Sequence, residues 1–237
     1  MTTSLALCFD APLQSWGTRS RGIIRDTARE PTKSGVVGLL AAALGARRDD
    51  DETTQRLAAL HLAIRVDREG ILERDYHTTQ NVPTTEGKGH RTVVSERYYL
   101  ADALFLVVLE GDPDLLHQLH DRADRPHWPL FFGRRAFVPA RPLLTEDALT
   151  AAPAAEVIST HRWLEADPDA IKAARLGADR VPLRTITDCE PAKHGAQPRH
   201  DHPVSIAQRT FRTRYVLNAT TDLTDALIRA GESTSCS

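Results

Sequence analysis

The sequence is poor in cysteine. Cys8, Cys189 and Cys236 lie far apart, and no pair has CxxC spacing. Such a sparse, odd set argues against a disulfide framework and against a structural zinc site built from thiolates. Scattered unpaired thiols are typical of a reducing compartment, so we expect a cytoplasmic protein.

Long hydrophobic runs are also missing. No apolar stretch approaches the roughly 20 residues that a membrane-spanning helix needs, and no membrane partner is expected. The first residues, MTTSLALCFDAPLQ, have no basic segment and an apolar run of only about five residues, so we expect no secretory signal peptide. Internal repeats and low-complexity segments are absent from the sequence as well.

Neither sign of charge dominates. The 237 residues include 30 Lys and Arg against 32 Asp and Glu, a net charge of −2, so composition gives no global indication of nucleic-acid binding. Any basic site must therefore be local. With 41% hydrophobic and 26% charged residues, the chain has the composition of a soluble globular protein, in one large domain or two small ones.

What the sequence does contain is a series of apolar segments that predict strands and helices. SLALCF at 4–9 predicts a buried strand, and VVGLLAAALG at 36–45 predicts a helix that is apolar around most of its circumference. LAIRVDREGILERDYH predicts two strands that meet near Gly70. Further on, ADALFLVVLEG predicts a buried strand, DPDLLHQLHDRAD an amphipathic helix, and FFGRRAFVPAR another strand.

The order of these elements is β-α-β followed by β-α-β once an arm at about residues 78–97 is set aside. It predicts an α+β fold with a ferredoxin-like N-terminal domain over residues 1–142. The arm is polar and rich in Gly and Thr, and is expected to be exposed and mobile. Residues 143–237 are expected to form a smaller C-terminal region packed on the first, with a disordered tail at about 231–237.

A loop crowded with arginine precedes the apolar helix. A helix N-terminus presents free N–H groups and about half a positive charge, so it attracts a phosphate. Ser34 would add a donor there, and Gly35 would allow a backbone to approach closely. Gln14 and Trp16 stand at the head of the loop, where an indole could stack on a base. The loop cations, set against Asp26 and Glu30, are Arg19, Arg21, Arg25, Arg29 and Lys33.

The residues alone leave a structural alternative open for this loop: a Ser or Thr N-cap, with the basic residues paired to the two loop carboxylates. The G-x-x-x-x-G-K-[ST] spacing of a Walker A loop is absent. Near the C-terminus, RTFRTRYV places Arg212 and Arg214 on one face of an extended run. This pattern fits a basic ridge for RNA and an edge strand kept soluble by charge equally well.

Three motifs, PLQSWG, RDTAREPTKSGVVGLLAAALG and FFGRR, resemble in their order and spacing the CasD family. This is the Cas-five subunit of type I-E CRISPR surveillance complexes (Cascade), within the RAMP superfamily. The resemblance is dense over residues 5–45, continues through Tyr98-Tyr99-Leu100 and 131–139, and thins after about residue 145. It implies a ferredoxin-like (RRM/RAMP-type) domain that carries a long β-hairpin thumb.

The same resemblance implies a non-catalytic role in antiviral defence. Such proteins bind crRNA and cap its 5′ handle, and they contact the CasC backbone subunit and the CasA large subunit, with target DNA reached indirectly through the complex. Gly133 corresponds to the glycine loop where RAMP-type proteins bring their backbone close to RNA. The residues expected to bind RNA are Gln14, Trp16, Arg19, Arg21, Arg25, Arg29, Lys33, Ser34, Gly35, Lys88, His90, Arg91, Arg134 and Arg135.

Catalysis is the competing hypothesis, since related subunits of type I-C systems process precursor crRNA without a metal. Such cleavage needs a base for a 2′-OH, an acid for the leaving oxygen and a cation for the phosphorane charge. The candidate groups, which form no recognisable signature, are Tyr76 with His77, Lys88 with His90, and His117 with His120. Because type I-E complexes leave cleavage to a separate subunit, CasE, we expect no enzyme activity.

Two further readings stay open at this point. A protein adaptor without direct RNA contact would fit the exposed arm but fits the basic loop poorly. His200 and His202 form an H-x-H pair of the kind that can hold a metal, but the sequence fixes no third ligand nearby. We therefore expect no metal and no other cofactor.

Overall fold

The computed structural model describes residues 2–18, 22–87, 89–177 and 180–229. Arg19, Arg21, Lys88 and the tail at 231–237 therefore lie outside the described residues. The strands are β1 (Thr3–Asp10), β2 (Leu13–Gln14), β3 (Ile24–Arg25), β4 (His61–Arg68), β5 (Ile71–Pro83), β6 (His90–Ala101), β7 (Leu104–Gly111), β8 (Leu144–Thr150), β9 (Leu183–Cys189), β10 (Gln197–Ser205) and β11 (Thr210–Thr221). The helices are α1 (Lys33–Leu44), α2 (Asp51–Ala59), α3 (Pro113–Asp124), α4 (Ala154–Thr160), α5 (Pro168–Arg175) and α6 (Asp225–Arg229).

Seven strands form one antiparallel sheet in the order β10-β11-β9-β4-β7-β1-β8. In the part β4-β7-β1-β8, α1 and α2 connect β1 to β4, and α3 connects β7 to β8. The runs LALCF in β1 and LFLVVL in β7 are buried at every residue, because the middle of the sheet is covered on both faces. Among the residues that the structure describes, no helix is both long and apolar enough to cross a bilayer.

The C-terminal strands extend this sheet. β8 pairs with β1 at one edge, and β9 pairs with β4 on the other side, where β11 and β10 follow. Ile186 and Val216 join the same hydrophobic core as Leu5 and Phe105. The boundary expected at residue 142 therefore does not separate two sheets or two cores.

Helix α1 begins and ends where the sequence indicates. The Thr32 side chain caps it by accepting a hydrogen bond from the backbone N–H of Gly35 at 3.2 Å. Gly45 ends it with φ of 79°, the left-handed conformation that glycine adopts without strain. Between these residues, side chains such as Val36 and Leu40 pack into the principal core.

β5 and β6 form a long hairpin outside the large sheet. Its register runs from Ile71 opposite Ala101 to Pro83 opposite His90, and β2 and β3 pair with the other edge of β6. The two strands predicted to meet near Gly70 are present, but β4 belongs to the large sheet and β5 to the small one. All but one of the β5 residues are exposed, so this strand contributes no core.

The segment FFGRRAFVPAR is not a strand, and the prediction made for it is wrong. The backbone N–H of Phe132 donates to the carbonyl of Phe137, and that of Phe137 donates to the carbonyl of Arg134, both at 2.8 Å. These bonds close a turn and leave few groups for strand pairing. The fourth strand of the β-α-β-β-α-β order is β8, which begins at Leu144.

Gly133 allows this turn to pack on the segment after β2. Its φ is 87°, and a Cβ added there would lie 1.9 Å from the carbonyl oxygen of Ser15. The Ser15 N–H in turn donates to the carbonyl of Phe132 at 3.0 Å, whose ring packs 4.8 Å from that of Phe9. The close backbone approach at this glycine is thus made to the protein itself.

We predict that Gly133→Ala lowers the free energy of unfolding by roughly 3 kcal/mol, because a left-handed φ and an overpacked contact both become unfavourable. Urea unfolding followed by circular dichroism measures the loss. Gly177 provides a control, since its φ is 73° but an added Cβ would meet nothing within 4 Å. Gly177→Ala should therefore cost only about 1 kcal/mol. Equal losses in the two variants would contradict the role given to the Ser15 contact.

Candidate nucleic-acid interface

The beginning of α1, where the sequence predicts a phosphate site, is closed by the protein's own carboxylates. The backbone N–H of Lys33 donates to Oδ2 of Asp201 at 2.8 Å. The Lys33 ammonium is buried and donates to the carbonyl of Leu60 at 2.9 Å and to Asp188 at 2.7 Å. The Arg214 guanidinium binds both Asp188 and Asp201. We call Lys33, Asp188, Asp201 and Arg214 the Lys33 cluster.

The Lys33 cluster is electrostatically balanced around Asp188. Burial alone would raise the pKa of this carboxyl, but Arg214 and Lys33 outweigh it, so the pKa lies below its usual range. The carboxylate also accepts the backbone N–H of Leu62 at 3.0 Å. The helix start thus already holds an anion that is charged, hydrogen-bonded and enclosed.

Gln14 and Trp16 are enclosed as well. Gln14 donates to the carbonyls of Phe9 and Ala103 at 3.2 and 2.7 Å, and it accepts from the indole N–H of Trp16 at 3.2 Å. The Trp16 ring stacks on Phe9 with centroids 5.7 Å apart and is 1% exposed. Gly35 makes room for it, because a Cβ there would lie 2.8 Å from the ring.

The expectation that the side chains of Gln14, Trp16 and Lys33 face RNA is therefore wrong for this conformation, and Gly35 packs on an indole. The sequence shows a lysine, a glycine and free amides at a helix start. It does not show that Asp188 and Asp201, which lie 155 and 168 positions from Lys33, fold onto them. A long-range contact has taken the place assigned to a phosphate.

Arg214 also departs from both of its sequence-based interpretations. β11 lies between β10 and β9, so it is not an edge strand. The Arg214 guanidinium faces Asp188 and Asp201, so it forms no exposed ridge with Arg212, which is exposed.

Arg25 and Arg91 lie on an exposed basic surface. β3 runs parallel to β6 with Arg25 in register with Arg97, and residues in register on paired strands project from the same face. Arg91 precedes Arg97 by an even number of positions on β6, so it shares that face. We call Arg25, Arg91 and Arg97 the arginine face. Sequence reasoning left Arg97 out of the site because the two-residue β3 carries no pattern that predicts its pairing.

Arg134 approaches the arginine face from the turn after α3. Its guanidinium donates to the carbonyl of Tyr98 at 2.8 Å and lies 5.3 Å from the centre of the Phe137 ring. Burial and then the positive charge of Arg97 lower the pKa of Arg134. Asp75, in register with Arg97 on β5, offsets part of this charge. Closely spaced guanidinium groups with little opposing charge suit the binding of phosphates.

The other predicted residues lie elsewhere. Ser34 and Arg135 line a groove between α1 and residues 128–135, which we call the α1 groove. Arg29 is exposed in the loop before α1, and His90 is exposed where β6 begins.

The groups considered for catalysis do not converge. Tyr76 and His77 are successive residues of β5 and so project from opposite faces. On α3, His117 is exposed, and His120 contacts Asp121 at 3.3 Å. Within the described ranges, no three His, Cys, Asp or Glu side chains lie close enough together to hold a metal ion.

We predict that Asp188→Asn lowers the free energy of unfolding by roughly 3 kcal/mol at neutral pH, because two buried cations lose their charged partner. The folded pKa of Asp188 lies below the unfolded value of about 3.9. Its stabilisation is therefore fully present above that value and is lost as the pH falls through the folded pKa. Urea titrations from about pH 7 to about pH 3 should show the gap to the wild type closing in acid.

The control for this prediction is Asp121→Asn, whose side chain is 83% exposed and should matter little at any pH. A gap for Asp188→Asn that stayed constant over the whole range would contradict the electrostatic account of the Lys33 cluster.

The comparisons with known proteins agree on a family. Residues 4–217 match the family model described as CRISPR-associated protein (Cas_Cas5). The CRISPR system Cascade subunit CasD of Escherichia coli (strain K12) is 35% identical over 158 residues, which covers 60% of this chain and 70% of that protein.

Two solved structures share the fold over nearly the whole chain, each with a TM-score of 0.72. One, described as "Crystal structure of Cas protein", is 36% identical and covers 92% of this chain and 95% of its own. The other, a chain of a "CRISPR RNA-guided surveillance complex", is 29% identical and covers 94% and 92%. The chain therefore belongs to the CasD family of CRISPR-associated proteins.

Proposed function

We propose that this chain is a non-catalytic, crRNA-binding subunit of a Cascade surveillance complex, in which it caps the 5′ handle of the guide RNA. Its similarity to CasD and to a chain of an RNA-guided complex supports membership of such an assembly. The observation that carries RNA binding is the register of Arg25 with Arg97. Like charges side by side on paired strands are unfavourable, so this arrangement gains most when an anion lies across them.

The proposed module is ferredoxin-like, of the RAMP type, with the β5–β6 hairpin as its thumb. Support comes from the β-α-β-β-α-β order of β1, α1, β4, β7, α3 and β8 and from the strand order β4-β7-β1-β8. The exposure of β5 along its length is typical of an element that completes its contacts on a partner. Single-stranded RNA held in a bend suits such an open surface, since its phosphates and unstacked bases are both accessible.

The hairpin offers a second face for protein contact. Ile24 and Tyr76, on the side opposite the arginine face, are 52% and 66% exposed, and Leu72 on the same side is 42% exposed. Exposed apolar side chains grouped in this way mark interaction surfaces. We assign this side of the hairpin to the CasC backbone subunit or the CasA large subunit, so that RNA and protein would take opposite faces.

The absence of catalysis is part of the proposal, and metal-independent cleavage of precursor crRNA is its alternative. What supports a non-catalytic role is the separation of the candidate acids and bases. A general base and its acid partner must both lie within hydrogen-bond reach of one scissile phosphate. Tyr76 and His77 point to opposite sides of β5, and His117 lies on another element.

We predict that Arg25→Ala with Arg97→Ala weakens binding of 5′-handle RNA about 100-fold, since two charge-assisted contacts are lost. The slope of log affinity against log salt should fall by roughly 1.4, or about 0.7 for each phosphate released. Fluorescence anisotropy across a salt series measures both quantities, with the chain alone and in the assembled complex. Arg56→Ala with Arg122→Ala, two exposed arginines on α2 and α3, is the control. An unchanged slope in the first double variant would remove the arginine face from the interface.

We also predict that 5′-handle RNA remains intact when it is incubated with the chain, while a scrambled RNA binds less. Gel electrophoresis of end-labelled RNA reports both cleavage and binding. Cleaved product would favour the endoribonuclease. Failure to bind even with CasC present would favour a protein adaptor without RNA contact.

A further inference from the structure

The α1 groove is an apolar channel of about 850 Å³ that the chain leaves open. Helix α1 is apolar on nearly all sides, yet the core covers it on one side only. Its uncovered side forms one wall of the groove, and the facing wall carries Trp128, whose side chain is 54% exposed. The groove floor between the two walls includes Gly38, Leu39, Ala42, Pro129 and Leu130.

The rim of the groove carries an excess of positive charge. Arg47, Arg48 and Arg135 are exposed, and Arg47 pairs with Asp49 at 3.2 Å. Within the described part of the chain, Arg48 and Arg135 take part in no ion pair. The rim therefore presents two uncompensated guanidinium groups beside an apolar floor, and it suits an occupant that is both apolar and acidic.

We propose that the α1 groove receives a segment of a second protein, one that inserts a large apolar side chain flanked by carboxylates. The inference rests on the proposed function in one respect: the segment belongs to another protein subunit of the same complex. Its carboxylates pair with Arg48 and Arg135, and its apolar side chain lies against Trp128 and the small residues of α1.

The chemistry of the floor favours protein over nucleic acid. A nucleobase carries N–H and C=O groups on its edges, and these lose free energy when they are buried without partners. The floor residues offer aliphatic and ring carbon, and the hydroxyl of Ser34, on the α1 wall, is directed at Thr32 at 3.4 Å. A leucine, methionine or phenylalanine side chain loses nothing in the same place.

Gly38 provides a direct test because the groove can be filled there without disturbing the chain. A Cβ added at Gly38 would meet nothing within 4 Å. Gly38→Leu should therefore fold with an unchanged or higher melting temperature, since leucine favours helix more than glycine does. We expect at least a tenfold loss of the other Cascade subunits that co-purify with the tagged chain. Gly38→Ala, which leaves the groove open, should retain them.

A second pair of variants tests the charge of the rim. Arg48→Glu with Arg135→Glu should cause a similar tenfold loss of co-purifying subunits, because the carboxylates of the segment would then be repelled. Arg56→Glu, an exposed position on α2 outside the groove, is the matched control and should have no effect.

The occupant is identified by replacing Trp128 with the photocrosslinker p-benzoylphenylalanine in the assembled complex. The expected product joins this chain to a peptide of another subunit in which an apolar residue adjoins Asp or Glu. A crosslink to the guide RNA or to a second copy of this chain would overturn the proposal, and so would full assembly of Gly38→Leu without any crosslink. The affinity of Gly38→Leu for handle RNA should be unchanged, so failure here is distinguishable from failure of the RNA-binding role.

Discussion

The contact between the Asp201 carboxylate and the first amide of α1 is the constraint on which the arrangement of this chain depends. It ties the helix start to β10, while Lys33 and Arg214 tie it to Asp188 on β9. The N-terminal motif and the C-terminal strands are thus held together by buried charges. Removing any one of them would leave another buried without its partner, at a cost of several kcal/mol.

Closing the helix start moves the candidate RNA surface to the hairpin. The loop before α1 is fixed by Glu30, which accepts from Arg184 at 2.9 Å and from Arg199 at 3.1 Å. With this loop in place, β3 pairs with β6 and sets Arg25 beside Arg97. Basic residues of one sequence motif are therefore divided between two tasks: Lys33 stabilises the fold, and Arg25 stays at the surface.

Predictions from local signals were confirmed, and those that needed distant partners were not. The buried strands β1 and β7 follow from continuous apolar runs, and α1 follows from its apolar residues and from the Thr32 and Gly45 caps. The segment after Gly133 has the alternation of a strand but forms a turn, because Phe132 gains more by packing on Phe9. Nothing within ten residues of that segment indicates this competition.

The sequence by itself determined the order of the elements, the family, and the presence of a basic loop ahead of a buried helix, because composition, periodicity and caps are local properties. Only the tertiary structure decided which of those charges remain available to a ligand. That outcome depends on where Asp188 and Asp201 come to lie once the sheet has formed, and no window of sequence around Lys33 contains them. Burial and ion pairing are properties of the whole chain, so they separate residues that look equivalent in a motif.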